Sequence, residues 1–381
     1  MKFDFVLVGG GLQSALIALA LRALRPSARL AIVERSGKIG GNHLWSFHAD
    51  DVPEEARAFV DPLVVARWNG FDVAFPDLRR TFDSPYASID SPRLHAVVAE
   101  SFAAAPGSSL LFGAEVVALG ERVVTLADGR VLEAECVVDA RGPEGLVLEG
   151  ATGYQKFVGL ELALARPHRL ARPMLMDATV AQTDGLRFLY VLPLAPDRVL
   201  VEDTFFSSDA ALDVAGVRAD VIGYAVRLGL EISHVERQEQ GCLPLPLTLT
   251  VPTPTRGPLV AGYRGGFFHP TTGYSFPVAL RLALHVARSG PDGVFGPALD
   301  RLLDEHRSQL RFALLLNRLL FAVTPPQHRR DVMERFHRLP PATIRRFYAL
   351  TTTRTDRARV FLGRPPRGVS LRAALAEVLS A

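Results

Sequence analysis

A glycine turn between a strand and a helix, within the first 35 residues, limits the fold of this chain more than any other segment. Phe3, Phe5, Leu7 and Val8 form a short apolar run suited to a buried parallel strand. Gly9, Gly10 and Gly11 follow. Gly9 permits a tight turn, and Gly11 lets the backbone approach a phosphate with no Cβ in the way. The spacing predicts a helix over 12–24 whose unpaired N–H groups and positive dipole end face the turn. Residues 30–33 read as the second strand. Glu34 stands 23 positions after Gly11, near where a carboxylate accepts hydrogen bonds from a ribose. Strand, turn, helix, strand and acid in this order suit an adenine dinucleotide. Ser14 occupies a place where the Gly-x-Gly-x-x-Gly pattern expects glycine or alanine, though serine is small enough for helix–strand packing. A plain βαβ unit without a ligand is the alternative.

The chain has 381 residues, room for about two or three lobes. Apolar residues make up 48% and mean hydropathy is +0.17, high for a water-soluble enzyme. No apolar run reaches the ~18–20 residues of a membrane span. The strand pattern begins at residue 3, which speaks against a cleavable signal. Cys136 and Cys242 have neither metal spacing nor a disulfide framework, and both are expected to be buried thiols in a reducing cytoplasm. No His-x-x-x-His or Cys-x-x-Cys spacing indicates a metal, and no Gly-x-Ser-x-Gly elbow indicates a serine hydrolase.

Charge is uneven. Residues 301–381 hold 16 Arg, no Lys and 6 acids, a net of +10 that leaves −7 for the rest. No recognition motif or aromatic ladder accompanies the arginines, so nucleic acid is not the expected polyanion. Apolar stretches such as 310–323 do accompany them, which suits either an anionic lipid surface or an ordinary basic helix on a core. Arg329, Arg330, Arg335, Arg338, Arg345 and Arg346 are the candidate surface arginines.

The rest of the chain reads as follows. Residues 37–48 form a glycine-rich loop with aromatics and histidines. A helix is predicted over 91–105, and short strands over 110–139. From 153 to 250 the pattern is mainly β, with a helix near 211–230. A short strand at 259–262, a loop to 276 and a helix over 277–288 come next, and the chain is then helical and basic. These elements predict an α/β fold. Residues 1–150 and 255–295 form a discontinuous Rossmann-like dinucleotide domain, 151–254 an inserted β-rich substrate lobe, and 296–381 a basic helical region.

Glu202 and Asp203 lie in an otherwise apolar run, Val199 to Phe206. In a strand, neighbours point to opposite faces. If Leu200 packs inward, Glu202 points the same way, and a desolvated carboxyl there can donate a proton near neutral pH. The alternative is a glutamate paired with Arg187 or Arg198. Trp45, Phe47, Tyr190, Phe205, Phe206, Phe267, Phe268 and Tyr274 surround the candidate sites, and His43, His48 and His269 are candidate acids or bases.

Taken together, the segments 7–12, 40–48, 137–142, 155–161, 176–180, 187–194, 201–204 and 270–277 resemble the bacterial lycopene β-cyclases. They are collinear over about residues 3–280. The Gly40–His48 and Glu202–Thr204 segments carry the most specific part of the likeness. The loop at 262–276 is also similar to the flavin-side motif of geranylgeranyl reductases, but Tyr263 stands where those proteins carry Asp.

The resemblance implies a glutathione-reductase-like or geranylgeranyl-reductase-like FAD domain. Gly9, Gly11, Ser14, Glu34, Arg35, Gly41, Asn42, His43, Asp139, Gly262, Gly266, Thr272 and Gly273 are then cofactor contacts. It also implies reduced FAD as the active form, NAD(P)H as reductant, and non-redox cyclisation of the acyclic ends of lycopene to β-ionone rings. Glu202 becomes the acid, and Asp203 a second acid or orienting group. A membrane-dissolved substrate implies peripheral docking on the cytoplasmic side, with the arginine-rich region as docking face. A flavin-dependent isoprenoid reductase or hydroxylase, and a non-catalytic carotenoid carrier, are the competing readings.

Overall fold

The computed structural model describes residues 2–142, 152–362 and 369–379. The domain boundary expected at 150/151 lies outside them. Lys2–Val8 is the centre of a parallel core, flanked by Leu30–Val33 and by Val131–Asp139. Phe3 and residues 5–8 are apolar and buried because both faces of the strand are covered there. Leu259–Val260 adds on beside Val131–Asp139, with Val260 opposite Asp139. Three chain segments far apart in sequence thus end side by side at Val8, Asp139 and Val260. Helix Leu12–Leu24 packs against helix Phe276–Gly293 on one face of this sheet. Gln13 and Arg25 tie the two helices, donating to the carbonyls of Ala279 and Ala287 at 3.0 and 2.7 Å.

A second sheet has seven strands in the order Ile232–Pro246, Thr152–Leu164, Arg198–Ser207, Leu186–Ala195, Met174–Asp177, Phe71–Phe75 and Leu78–Phe82. Residues 71–82, expected within the first domain, therefore belong to this sheet. Phe71–Phe75 joins it by parallel pairing with Met174–Asp177, a long-range contact that local pattern does not announce. Alternation sorts the sheet's faces. Val158, Leu160, Leu162, Val199 and Val201 pack under helix Val214–Arg227. Phe157, Leu200, Glu202 and Tyr190 line a cavity on the opposite face. The glycine-rich loop runs into a strand, Leu44–His48, in a small three-stranded sheet with Tyr86–Asp90 and Val64–Trp68.

The C-terminal helices close the cavity from a further side. His337, Ile344 and Tyr348 are among its walls, so the basic region is part of the site's enclosure. Arg329, one of the candidate surface arginines, is 1% exposed. It donates to the carbonyls of Leu320 and Phe206 and to the Ser208 hydroxyl. Arg345 pairs with Asp50 and Arg346 with the buried Asp356. Charge count alone cannot separate such arginines from solvated ones. Among the described residues no helix is long and apolar enough to cross a membrane.

Candidate active site

One cavity of about 860 Å³ runs from the glycine turn to the second sheet. At its first end, Gly9 has φ +97°, and a Cβ there would lie 2.7 Å from the Ala140 carbonyl oxygen. Gly11 caps the Leu12–Leu24 helix without a side-chain cap and with no acid in the first turn. A Cβ on Gly11 would meet nothing within 4 Å, so the helix end is open to the cavity. Its unpartnered N–H groups suit a phosphate. Glu34 sits beside the turn, accepting from Gly10 N–H at 2.5 Å and Ser36 N–H at 2.8 Å. Arg35, Gly41, His43, Gly262, Thr272 and Gly273 also line this space. The residues present fit an extended dinucleotide.

Four of the expected contacts stand back from the cavity wall. Ser14 is buried within the helix, and Gly266 lies under its loop, where its carbonyl accepts from His306 at 2.8 Å. Asn42 ties the glycine-rich loop to the second sheet through Gln238 O at 2.8 Å. Asp139 is clasped by Arg141 and Arg264 at 2.8 and 3.0 Å, fastening the loop after Leu259–Val260 to the parallel core. Tyr263, at the place where geranylgeranyl reductases carry Asp, is stacked on Phe268 and donates to Gly273 O at 2.9 Å.

At the other end, Glu202 faces the cavity and Asp203 does not. Asp203 is fully buried on the helix side, held by Arg187 at 2.5 Å, and Arg187 also meets Asp220 at 2.6 Å. The expectation that Asp203 is a second acid in the site is therefore corrected: strand alternation turns it away, and it takes the arginine that might have paired with Glu202. The second cavity carboxyl is Glu239, which the sequence reading missed. Gly159 pairs with Glu202 on one side and Glu239 on the other. A Cβ on Gly159 would lie 3.1 Å from Glu202 Oε2 and 3.3 Å from Glu239 Oε1. The glycine leaves room for the two carboxyl groups to meet above it. A glycine inside a strand is the signal that could have flagged this close approach.

Burial above all, then the neighbouring Glu239, pushes the Glu202 carboxyl well above its usual range. Thr204 donates to its Oε1 at 2.9 Å. Burial also raises Glu239, to about 6, but Arg237 and the Leu44 N–H oppose the rise. Leu44 N–H reaches Glu239 Oε2 at 3.0 Å, and Arg237 reaches it at 3.5 Å. Burial shifts both carboxyls toward the protonated form, and the two donors on Glu239 favour the proton on Glu202. Around them, Tyr86, Tyr190, Phe71 and Tyr348 make an aromatic wall. His48 packs on Phe71 and Tyr86 with its Nδ1 unpartnered, and burial, then Arg345, lowers it to about 4, so it is neutral. Asp51 accepts from Tyr274 at 2.7 Å, and burial raises it to about 6. Cys242 is exposed at the cavity's edge rather than buried, because its strand lies at the edge of the sheet.

A proton donor in an aromatic chamber continuous with a dinucleotide cradle is an unusual pairing. The model of the lycopene cyclase proteins matches residues 4–374. The chain belongs to the lycopene cyclase family. It is 40% identical to a lycopene beta-cyclase of Pseudescherichia vulneris, over 98% of this chain and 97% of that protein. It is 38% identical to one of Pantoea ananas, over 99% and 98%. Solved structures similar to this member of the family include a geranylgeranyl bacteriochlorophyll reductase-like protein of Thermoplasma acidophilum. That likeness has a TM-score of 0.62 at 12% identity, over 99% of this chain and 96% of that one. A p-nitrophenol 4-monooxygenase of Pseudomonas putida has a TM-score of 0.64 at 15% identity, over 93% and 99%. These place the family member in the expected α/β fold.

Proposed function

We propose that this chain cyclises the acyclic ends of lycopene to β-ionone rings, giving γ-carotene and then β-carotene without net oxidation or reduction. The observation that carries the reading is the buried Glu202 carboxyl, set against Glu239 in an aromatic chamber. Alkene protonation needs an acid that still holds its proton near neutral pH in a water-poor site, and burial supplies that. Glu202 gives its proton to C2 of the terminal C1=C2 bond, leaving a tertiary cation at C1. The C5=C6 electrons close the C1–C6 bond, and loss of the C6 proton restores a double bond. The rings of Tyr86, Tyr190 and Phe71 line the chamber around Glu202, where aromatic faces can stabilise a cation, and its largely apolar walls limit capture of the cation by water.

Gly9, Gly11 and the end of helix Leu12–Leu24 would hold the FAD pyrophosphate and Glu34 its ribose, with Gly262, Thr272 and Gly273 beside the flavin. FAD bound there and reduced by NAD(P)H would supply negative charge that stabilises the carbocation. Lycopene resides in lipid, which supports peripheral docking on the cytoplasmic membrane face. Phe361, Leu362 and Leu375 on the C-terminal helices are 45%, 69% and 59% exposed, and the basic residues of this region lie in the same stretch of chain.

The test is expression in a lycopene-accumulating bacterium, with pigments separated by chromatography. Monocyclic or bicyclic product, formed many times per reduced flavin, supports the reading. One NAD(P)H consumed per product identifies a reductase or hydroxylase. Pigment bound but unchanged identifies a carrier.

A further inference from the structure

We propose that Glu239 shares the reacting proton with Glu202: the two carboxyl groups carry one proton between them, Glu202 delivers it, and the pair takes one back as the ring forms. This rests on the proposed cyclisation. The geometry comes from register. Glu202 and Glu239 sit on strands separated by Thr152–Leu164, and both face Gly159. Glu239 Oε2 is already occupied by the Leu44 N–H at 3.0 Å and Arg237 at 3.5 Å. Its Oε1 is the oxygen nearer Gly159, on the side where Glu202 Oε2 lies. Glu239 is therefore oriented by two donors to accept from Glu202.

The proton count closes. The Glu202 O–H bond breaks as a C–H bond forms at C2. The C6–H bond breaks as its electrons restore a double bond, and that proton returns to the carboxyl pair. No oxidant or reductant is consumed. Without a partner, Glu202 would be left as a lone carboxylate. With Glu239 it would briefly stand beside a second negative charge, which drives recapture of the leaving proton. Glu161, two residues from Gly159, cannot take this part: Arg237 and Arg198 hold it at 2.9 and 3.3 Å.

Other groups face the pair as well. Arg237 and Glu161 act on Glu239, and Asp203 acts on Glu202 from behind its strand. Tyr86 and Tyr190 approach Glu202 across the chamber. His43 stands near Arg237. Glu239→Gln removes one charge at nearly constant shape; Arg237 loses its contact with Glu239 but keeps Glu161 at 2.9 Å.

The experiment is a pH–rate profile of the FAD-loaded enzyme on lycopene in liposomes, together with infrared titration of the protonated carboxyl band without substrate. A negative neighbour raises the Glu202 pKa. In Glu239→Gln the alkaline limb and the carboxyl titration should both move to lower pH, by about one unit or more, and Glu239→Asp should move them back. Gly159→Ala keeps both acids but puts a methyl 3.1 Å from Glu202 Oε2. It should shift both readouts in the same direction, and it stands as the test if Glu239→Gln does not fold. Limbs and bands unmoved in the folded variants overturn the proposal. A wild type that forms no ring from lycopene, yet shows the infrared shift, overturns the proposed function and leaves the shared proton standing.

Discussion

Glu202 and Glu239 reach one point of the cavity from strands that are not neighbours, across the missing side chain of Gly159. The backbone N–H and the arginine on Glu239 favour the shared proton on Glu202. Glu202→Gln keeps the size and removes the acid. Cyclisation should fall by about 10²–10⁴-fold, the usual contribution of a general acid. The flavin absorbance of the purified variant should match wild type. Wild-type rates of β-ring formation would remove Glu202 from the role.

Asp203 should behave in the opposite way. It is buried against Arg187 under helix Val214–Arg227. Asp203→Asn leaves the guanidinium with only the exposed Asp220 as a charged partner. Breaking such a pair costs about 3 kcal/mol, read as a lower denaturation midpoint. Turnover by the folded fraction should stay within about threefold of wild type, since the side chain does not enter the cavity. A large loss of kcat without loss of stability would contradict this placement.

Gly9→Ala should abolish flavin retention. The backbone there has φ +97°, a conformation L side chains rarely adopt, and the new methyl would collide with the Ala140 carbonyl oxygen. Gly11→Ala is the contrast. Its Cβ would enter open space, so the apoprotein should fold normally. Its cofactor affinity should still fall, because the methyl would stand where the phosphate approaches. Flavin release after gel filtration checks both losses, and the denaturation midpoint of the apoprotein separates the two variants.

Local pattern reveals some of these features and not others. The strands at Lys2–Val8 and Leu30–Val33 and the helix between them follow from short-range periodicity and glycine chemistry. The face of Glu202 follows from Leu200, two residues away. Glu239 does not, because its role arises from pairing with a strand some 80 residues earlier. In sequence, Glu236 to Gln240 reads as a polar edge. Tyr86 and Tyr348 enter the chamber by equally long-range routes, as does the strand Phe71–Phe75. Arg329 was counted with surface charge because composition carries no information on burial.

Acid should loosen the C-terminal helices. Asp356 accepts from Arg346 at 2.6 and 2.7 Å and from Thr343 at 2.7 Å, and it completes the cap of helix Arg354–Phe361. The Arg346 hydrogen bond above all holds its pKa below the usual carboxylate range. A lowered folded-state pKa gives stability that is present above the unfolded value, about 3.9, and is lost as pH falls below it. Denaturation midpoints should therefore drop below about pH 4, and Asp356→Asn should flatten that drop while lowering stability at pH 7. An unchanged acid limb in the variant would show that other carboxylates govern it.

The C-terminal region combines two kinds of residue that charge counting merges, and variants can separate them. Arg329 is enclosed by Leu320, Phe206, Phe321 and Ser208. Arg329→Met should lower the denaturation midpoint and leave liposome binding by the folded protein unchanged. Phe361, Leu362 and Leu375 are exposed and apolar, and Phe361 makes an edge-on ring contact with Phe312 at 6.0 Å. Replacing all three by serine should lower stability only slightly, through the lost Phe361–Phe312 contact, and weaken flotation with anionic liposomes. With each inserted side chain contributing about 1 kcal/mol, the expected loss exceeds about tenfold. Salt should weaken the remaining attraction, which is electrostatic. Unchanged flotation of the triple variant at low salt would move the docking face elsewhere on the molecule.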